Sequence, residues 1–297
     1  MLAFLFASCE GNNIPGESIE KIHPDSLFIK AVDTNSKGLY YMETDRRDSA
    51  ILFFEEAIEI IEIINKKNLL PDVFINLADC YQHNGNYSLS GFYYRKALFI
   101  SDSLGIEENY YPIYSGMGRL YNELENFELA DEYFYKAEKY INNASDYEKY
   151  YFANSRGNYY YNTKEYDKAL EWFRKAYYFT LTFSHTNPKA IVEANMGEIF
   201  LLTNQLDSAQ YYLDCSKGSW GDLYIQPSIK FYIDGLFASL ALQRNEVFEA
   251  EKLLLQEYDT NDIVPLFLYS HNRRMQQFYE LKKDYKNAYQ YKKNRYL

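Results

Sequence analysis

Apolar and polar residues alternate along this chain in blocks: one apolar helical face, a short polar turn, a second apolar face, then the same again. Residues 150–184 show the unit. Small Gly157 is followed by Tyr160 and, beyond the polar turn 162–166, by Ala169, Phe173 and Ala176. Small residues let two helix backbones approach, and aromatic rings fill the space around the close contact. This spacing predicts two packed antiparallel helices. Residues 50–67 confirm one of them, because their apolar positions fall on one face of a long helix.

The unit recurs in phase. Its first small position falls at Gly38, Ala78, Gly118, Gly157, Gly197, Ala238 and, poorly, Gln276, with successive spacings of 40, 40, 39, 40, 41 and 38 residues. Tyr41, Tyr81, Tyr121, Tyr160, Phe200, Ala241 and Tyr279 come three residues later. Ala50, Ser90, Ala130, Ala169, Ala209, Ala250 and Ala288 come twelve later. The position sixteen later is Phe54, Tyr94, Phe134 and Phe173, then Leu213 and Leu254. Five units are strong, the sixth matches in half its positions, and the seventh rests on Tyr279, Tyr285 and Ala288. Proline punctuates them independently. Pro24, Pro71, Pro112, Pro188, Pro227 and Pro265 each precede a small position, as suits the first turn of a helix, and Ser145 and Asp146 offer caps where the fourth unit lacks proline.

This repeated pattern resembles the tetratricopeptide repeat family over nearly all of residues 24–297. The period is longer than the family's usual ~34 residues, which predicts longer helices and connections. The resemblance implies an all-α fold, a right-handed α-solenoid of about seven helix pairs. It also implies a non-enzymatic scaffold that binds a protein or peptide segment in a concave groove lined by the first helices. The places beside the small residue, and one turn to either side, carry Asn76, Asp79, Gln82 and His83 in the second repeat. The third offers Arg119 and Asn122, the fourth Tyr151, Asn154, Asn158 and Tyr161, and the fifth Asn195 and Glu198. Amides both donate to and accept from a peptide backbone, so the asparagines on neighbouring first helices make an amide clamp, with tyrosine rings bracketing the ligand's side chains, the expected binding mode. The basic set with which some members of the family hold a C-terminal carboxylate is absent.

Composition narrows the partner. The chain holds 33 Tyr and 20 Phe among 297 residues, and its net charge is −11. Excess acid disfavours a nucleic-acid partner, which needs clustered cations. No apolar run reaches the ~18 residues of a membrane-spanning helix. The first nine residues, an apolar run ending in Ala7, Ser8 and Cys9, resemble a bacterial lipoprotein signal with Cys9 as the lipidated residue, although no Lys or Arg precedes the run. Residues 1–9 thus read as a signal remnant, 10–23 as a flexible tether and 24–297 as the solenoid. The expected location is the cell envelope, with a membrane contact only through that anchor; without the anchor it is the cytoplasm.

Catalytic chemistry finds no foothold in the sequence. The four histidines lie far apart with no metal-ligand spacing, and Cys80 and Cys215 fall in helices as candidate buried thiols. No phosphate loop or nucleophile elbow occurs. Neither a metal, a cofactor nor a small-molecule substrate is expected. A second reading, the sensory repeat region of a bacterial signalling or transcription regulator whose output domain lies outside this chain, rests on the lack of a polar capping helix after 284–297.

Overall fold

Helices carry the whole pattern. The computed structural model describes residues 24–44, 46–183, 187–220, 227–259, 263 and 265–294. Cys9, the tether 10–23, His23 and His185 lie outside the described residues. Among the described residues there are fourteen α-helices and no strand. In chain order they are α1 (Pro24–Glu43), α2 (Arg47–Ile63), α3 (Leu70–His83), α4 (Tyr87–Leu104), α5 (Tyr110–Glu123), α6 (Phe127–Glu138) and α7 (Asp146–Asn162). Then follow α8 (Tyr166–Thr180), α9 (Asn187–Leu202), α10 (Leu206–Trp220), α11 (Pro227–Gln243), α12 (Val247–Leu254), α13 (Pro265–Leu281) and α14 (Tyr285–Lys293). Each odd-numbered helix packs on the next even one, giving seven pairs.

Local chemistry sets the boundaries. Proline stands in the first turn of α3, α5, α9, α11 and α13, and α7 opens instead with a capping box in which Ser145 and Glu148 satisfy each other's backbone N–H groups. The turn inside a pair is the same from the second pair to the seventh. Gly85, Glu125, Lys164, Asn204, Asn245 and Lys283 all take positive φ, between 56° and 74°, and each lies seven residues after its repeat's small position. Asn86, Asn126 and Asp284 then cap α4, α6 and α14 by accepting a backbone N–H with their side chains. Extra residues of the long period go into 3-10 turns at 67–69, 107–109 and 141–143 between pairs, and into second helices as long as the 18-residue α4.

The core of each pair is the contact read from the spacing. A Cβ added at Gly157 would lie 2.4 Å from Phe173 Cε1, and one at Gly118 would lie 2.7 Å from Phe134 Cδ1. Phe54, Tyr94, Phe134, Phe173 and Leu213 are all fully buried, and burial of each side chain contributes about 1.5–3 kcal/mol. The seventh pair obeys the same phase despite its poor sequence match, with Phe278 and Ala288 buried.

Pairs stack with a curvature that follows from unequal packing. Successive first helices touch each other directly, α1 on α3, α3 on α5, α5 on α7, α9 on α11 and α11 on α13. Second helices make no comparable contact with each other among the described residues. The first helices therefore form the inner, concave wall and the second helices the outer one.

Candidate functional site

On the concave wall the polar side chains form two clusters. Asp79 of α3 is the centre of the first: Arg119 of α5 and the Tyr94 hydroxyl of α4 both donate to its Oδ1, and Arg119 Nη2 lies 3.2 Å from the Tyr94 oxygen. The Arg119 guanidinium stacks on the Tyr151 ring of α7 with its carbon 4.5 Å from the centroid. Tyr94 is wholly buried, yet its hydroxyl crosses between first helices to reach the wall. Gly116 makes this possible, because a Cβ there would lie 2.3 Å from that hydroxyl. Burial, and then the Asp79 carboxylate, hold the Tyr94 hydroxyl well above its ordinary pKa, so it stays protonated and acts as a donor. Gln82 donates from Nε2 to Glu123 Oε1 at 2.7 Å. Glu123 has open surface at the end of α5, yet crowding by the wall raises its carboxyl to about 7.

The second cluster lies further along. Asn195 of α9 donates to Asn154 Oδ1 of α7 at 2.9 Å, and Tyr232 of α11 donates to Glu198 Oε2 at 2.7 Å with Asn195 Oδ1 2.9 Å away. Phe267 stacks on Tyr232 at 4.9 Å. Burial, and then Glu198, raise the pKa of both Tyr161 and Tyr232. Behind them the Arg274 guanidinium of α13 is buried, donates from Nε to Ser239 Oγ at 2.7 Å, and fits only beside the bare Gly235.

The structure thus gathers the residues expected to line a groove onto one wall, but it gives them unequal freedom. Asn122 and Asn195, at 6% and 8% exposure, are buried and bonded to Asn162 and Asn154 respectively. Three of the five asparagines expected to line the groove, Asn122, Asn154 and Asn195, are engaged in joining neighbouring repeats. Asn76 and Asn158 are half-buried and make no side-chain hydrogen bond among the described residues. Gln82 is buried, whereas Asp79, Arg119, Tyr151, Tyr161 and Glu198 keep part of their surface. His83 is exposed at the end of α3, but crowding by the wall, then the Arg47 and Arg119 charges, push its pKa down and keep the imidazole neutral.

Sequence reasoning missed Tyr94, Glu123, Tyr232 and Arg274. A signal for two of them was present. The bonds Arg119 to Asp79, Gln82 to Glu123, Asn162 to Asn122 and Asn195 to Asn154 join residues 40 or 41 apart, one repeat period. Tyr94 is also the one tyrosine in a column that carries Phe54, Phe134 and Phe173, then Leu213 and Leu254. Cys80 is buried with its thiol pushed up to about 12, mainly by that burial, while Cys215 is half-buried. Among the described residues no three acidic, His or Cys side chains gather as a metal site, and no helix is long and apolar enough to cross a membrane.

Comparison with known proteins agrees with this geometry. The family model described as tetratricopeptide repeat matches residues 35–63, 71–101, 111–143 and 151–180. No curated protein sequence matches the chain. Among solved structures, the repeat-containing signal transduction ATPase with a tetratricopeptide repeat sensor from Pyrococcus horikoshii superposes with TM-score 0.58 at 13% identity, covering 92% of this chain and 43% of that one. The Cut9–Hcn1 assembly of the APC/C gives TM-score 0.58 at 17% identity over 84% of this chain and 47% of that one. PilW, a type IV pilus biogenesis factor, gives 0.51 at 16% identity over 76% and 92%. At these identities the likeness concerns the fold alone. The architecture suits protein–protein interaction, and tetratricopeptide repeat proteins are generally non-catalytic scaffolds. Residues 35–180 thus carry four tetratricopeptide repeats in phase, and the same packing and turn geometry carries on through three further helix pairs.

Proposed function

We propose that the chain is a non-enzymatic scaffold whose concave wall holds a peptide or protein segment. The observation that carries this reading is the first cluster: an Asp79–Arg119 pair that keeps a minor part of its surface open and stacks on Tyr151, flanked by Asn76 and Asn158 with their amides uncommitted. A preformed, internally bonded wall loses little conformational entropy when it binds, so most of its interaction energy is available for affinity. Arg119 is already oriented by Asp79 and Tyr94, and its remaining N–H groups and the partly exposed Tyr151 side chain would offer a peptide one polar and one apolar contact. Asn76 and Asn158, rather than the bonded amides, would meet its backbone.

Pull-down from a membrane fraction tests the reading, with the wild-type protein beside an Asn76→Ala/Asn158→Ala double variant. A protein retained by the wild type and lost by the variant, both folded by circular dichroism, is the expected result. Equal retention by both would overturn the groove assignment. The proposal includes an envelope location through lipid at Cys9: a Cys9→Ala substitution should release the protein from the membrane fraction, and an unchanged fractionation would remove the anchor from the proposal.

A further inference from the structure

Away from the concave wall, the outer surface carries a cleft of about 720 Å³. It opens because α6 is short. That helix has 12 residues against 18 in α4 and 15 in α8, and the chain leaves it at Glu138 through the 3-10 turn 141–143. Ground that another turn of helix would cover is left bare, floored by Phe152 of α7 and walled by Ile141, Trp172 and Phe179. This volume and lining are those of a small-molecule site, apolar with a few polar groups at the edge.

Charge on the rim selects the ligand. Lys149, Arg174 and Lys175 stand there against a single carboxylate, Glu138, in a chain whose net charge is −11. None of the three cationic heads makes an ion pair or hydrogen bond among the described residues; Lys175 rests 3.9 Å from the Trp172 ring centroid. A surface lysine is ordinarily a solvated group of no consequence. Here, however, Lys149 stands fourth in α7 and lines the same opening as Arg174 and Lys175. An anion seated at the rim would meet all three charges.

We propose that this cleft binds a small amphipathic carboxylate, an apolar chain or ring with one anionic head. The apolar body lies on Phe152, Trp172 and Phe179, and the head meets Lys149, Arg174 and Lys175. Such a ligand is not what the sequence leads one to expect, and its site is separate from the peptide-binding wall. Isothermal titration of the full chain with decanoate, decanol and decyltrimethylammonium tests it. Decanoate should bind saturably and at least tenfold more tightly than decanol, with decyltrimethylammonium weaker still. A Lys149→Gln/Lys175→Gln variant should lose about tenfold, a difference of about 1.4 kcal/mol. Arg174→Gln, on an exposed side chain, serves as the second variant should the first fail to fold. Equal binding of decanol and decanoate, the absence of a saturable signal, or unchanged affinity in the folded variants would each overturn the proposal. So would an acidic phenylalanine-containing peptide that competes for the site and binds more tightly than decanoate.

Discussion

At Gly157 two opposing magnitudes meet. Alanine favours helix by about 1 kcal/mol over glycine, but overpacking a filled core costs about 1–3 kcal/mol. With Phe173 Cε1 only 2.4 Å from the added Cβ, and the ring itself wedged in the core, the clash wins. Gly157→Ala should therefore lower the urea midpoint; an unchanged or raised midpoint would mean that the ring can move aside. Tyr94→Phe removes only the hydroxyl shared by Asp79 and Arg119, and should cost about 1–2 kcal/mol in the same measurement. His271 supplies a pH dependence. Burial, then the Arg274 charge, lower its pKa from 6.5 to about 4, so the folded protein binds fewer protons than the unfolded chain between those values. The associated stability is complete above pH 6.5 and is lost as pH falls towards 4. Thermal melts of wild type and His271→Gln should differ in slope over that window, with the variant flatter.

At the level of elements, the turn within the second to seventh pairs repeats a left-handed residue, yet only the second repeat places glycine there. Lys164 at φ 63° bears a Cβ where the backbone tolerates it poorly. Replacement by glycine removes that strain at the cost of extra freedom in the unfolded chain, and Lys164→Gly should gain about 0.5–1 kcal/mol. A midpoint that falls instead would show that the lysine side chain contributes more than its backbone costs. The sequence disclosed these elements well for a physical reason: small, aromatic and alanine positions describe contacts inside one pair, where sequence spacing fixes geometry. It disclosed the site less well. Asn122 and Asn195 look like ligands in isolation, and only the stacking of pairs shows that each faces an amide one period away. The outer cleft was illegible, because it depends on where α6 stops.

For the whole molecule, stability is approximately a sum over repeats and their interfaces. The last two pairs are the weakest terms. α12 has 8 residues and α14 has 9, and Ala288 is the buried residue of α14. Hydrogen exchange should therefore be faster in α12–α14 than in α5–α8, and uniform protection along the chain would contradict this ordering. The inner wall carries a further consequence. First helices touch and are laced by bonds one period apart, whereas second helices stand separate on the outside. Pulled by its ends, such an array uncoils about its outer edge and must open the laced edge first. Part of its stiffness as a spring then resides in a handful of polar bonds, beside the packing of each second helix on the next first helix, and a ligand bridging that wall would stiffen the spring without altering any helix.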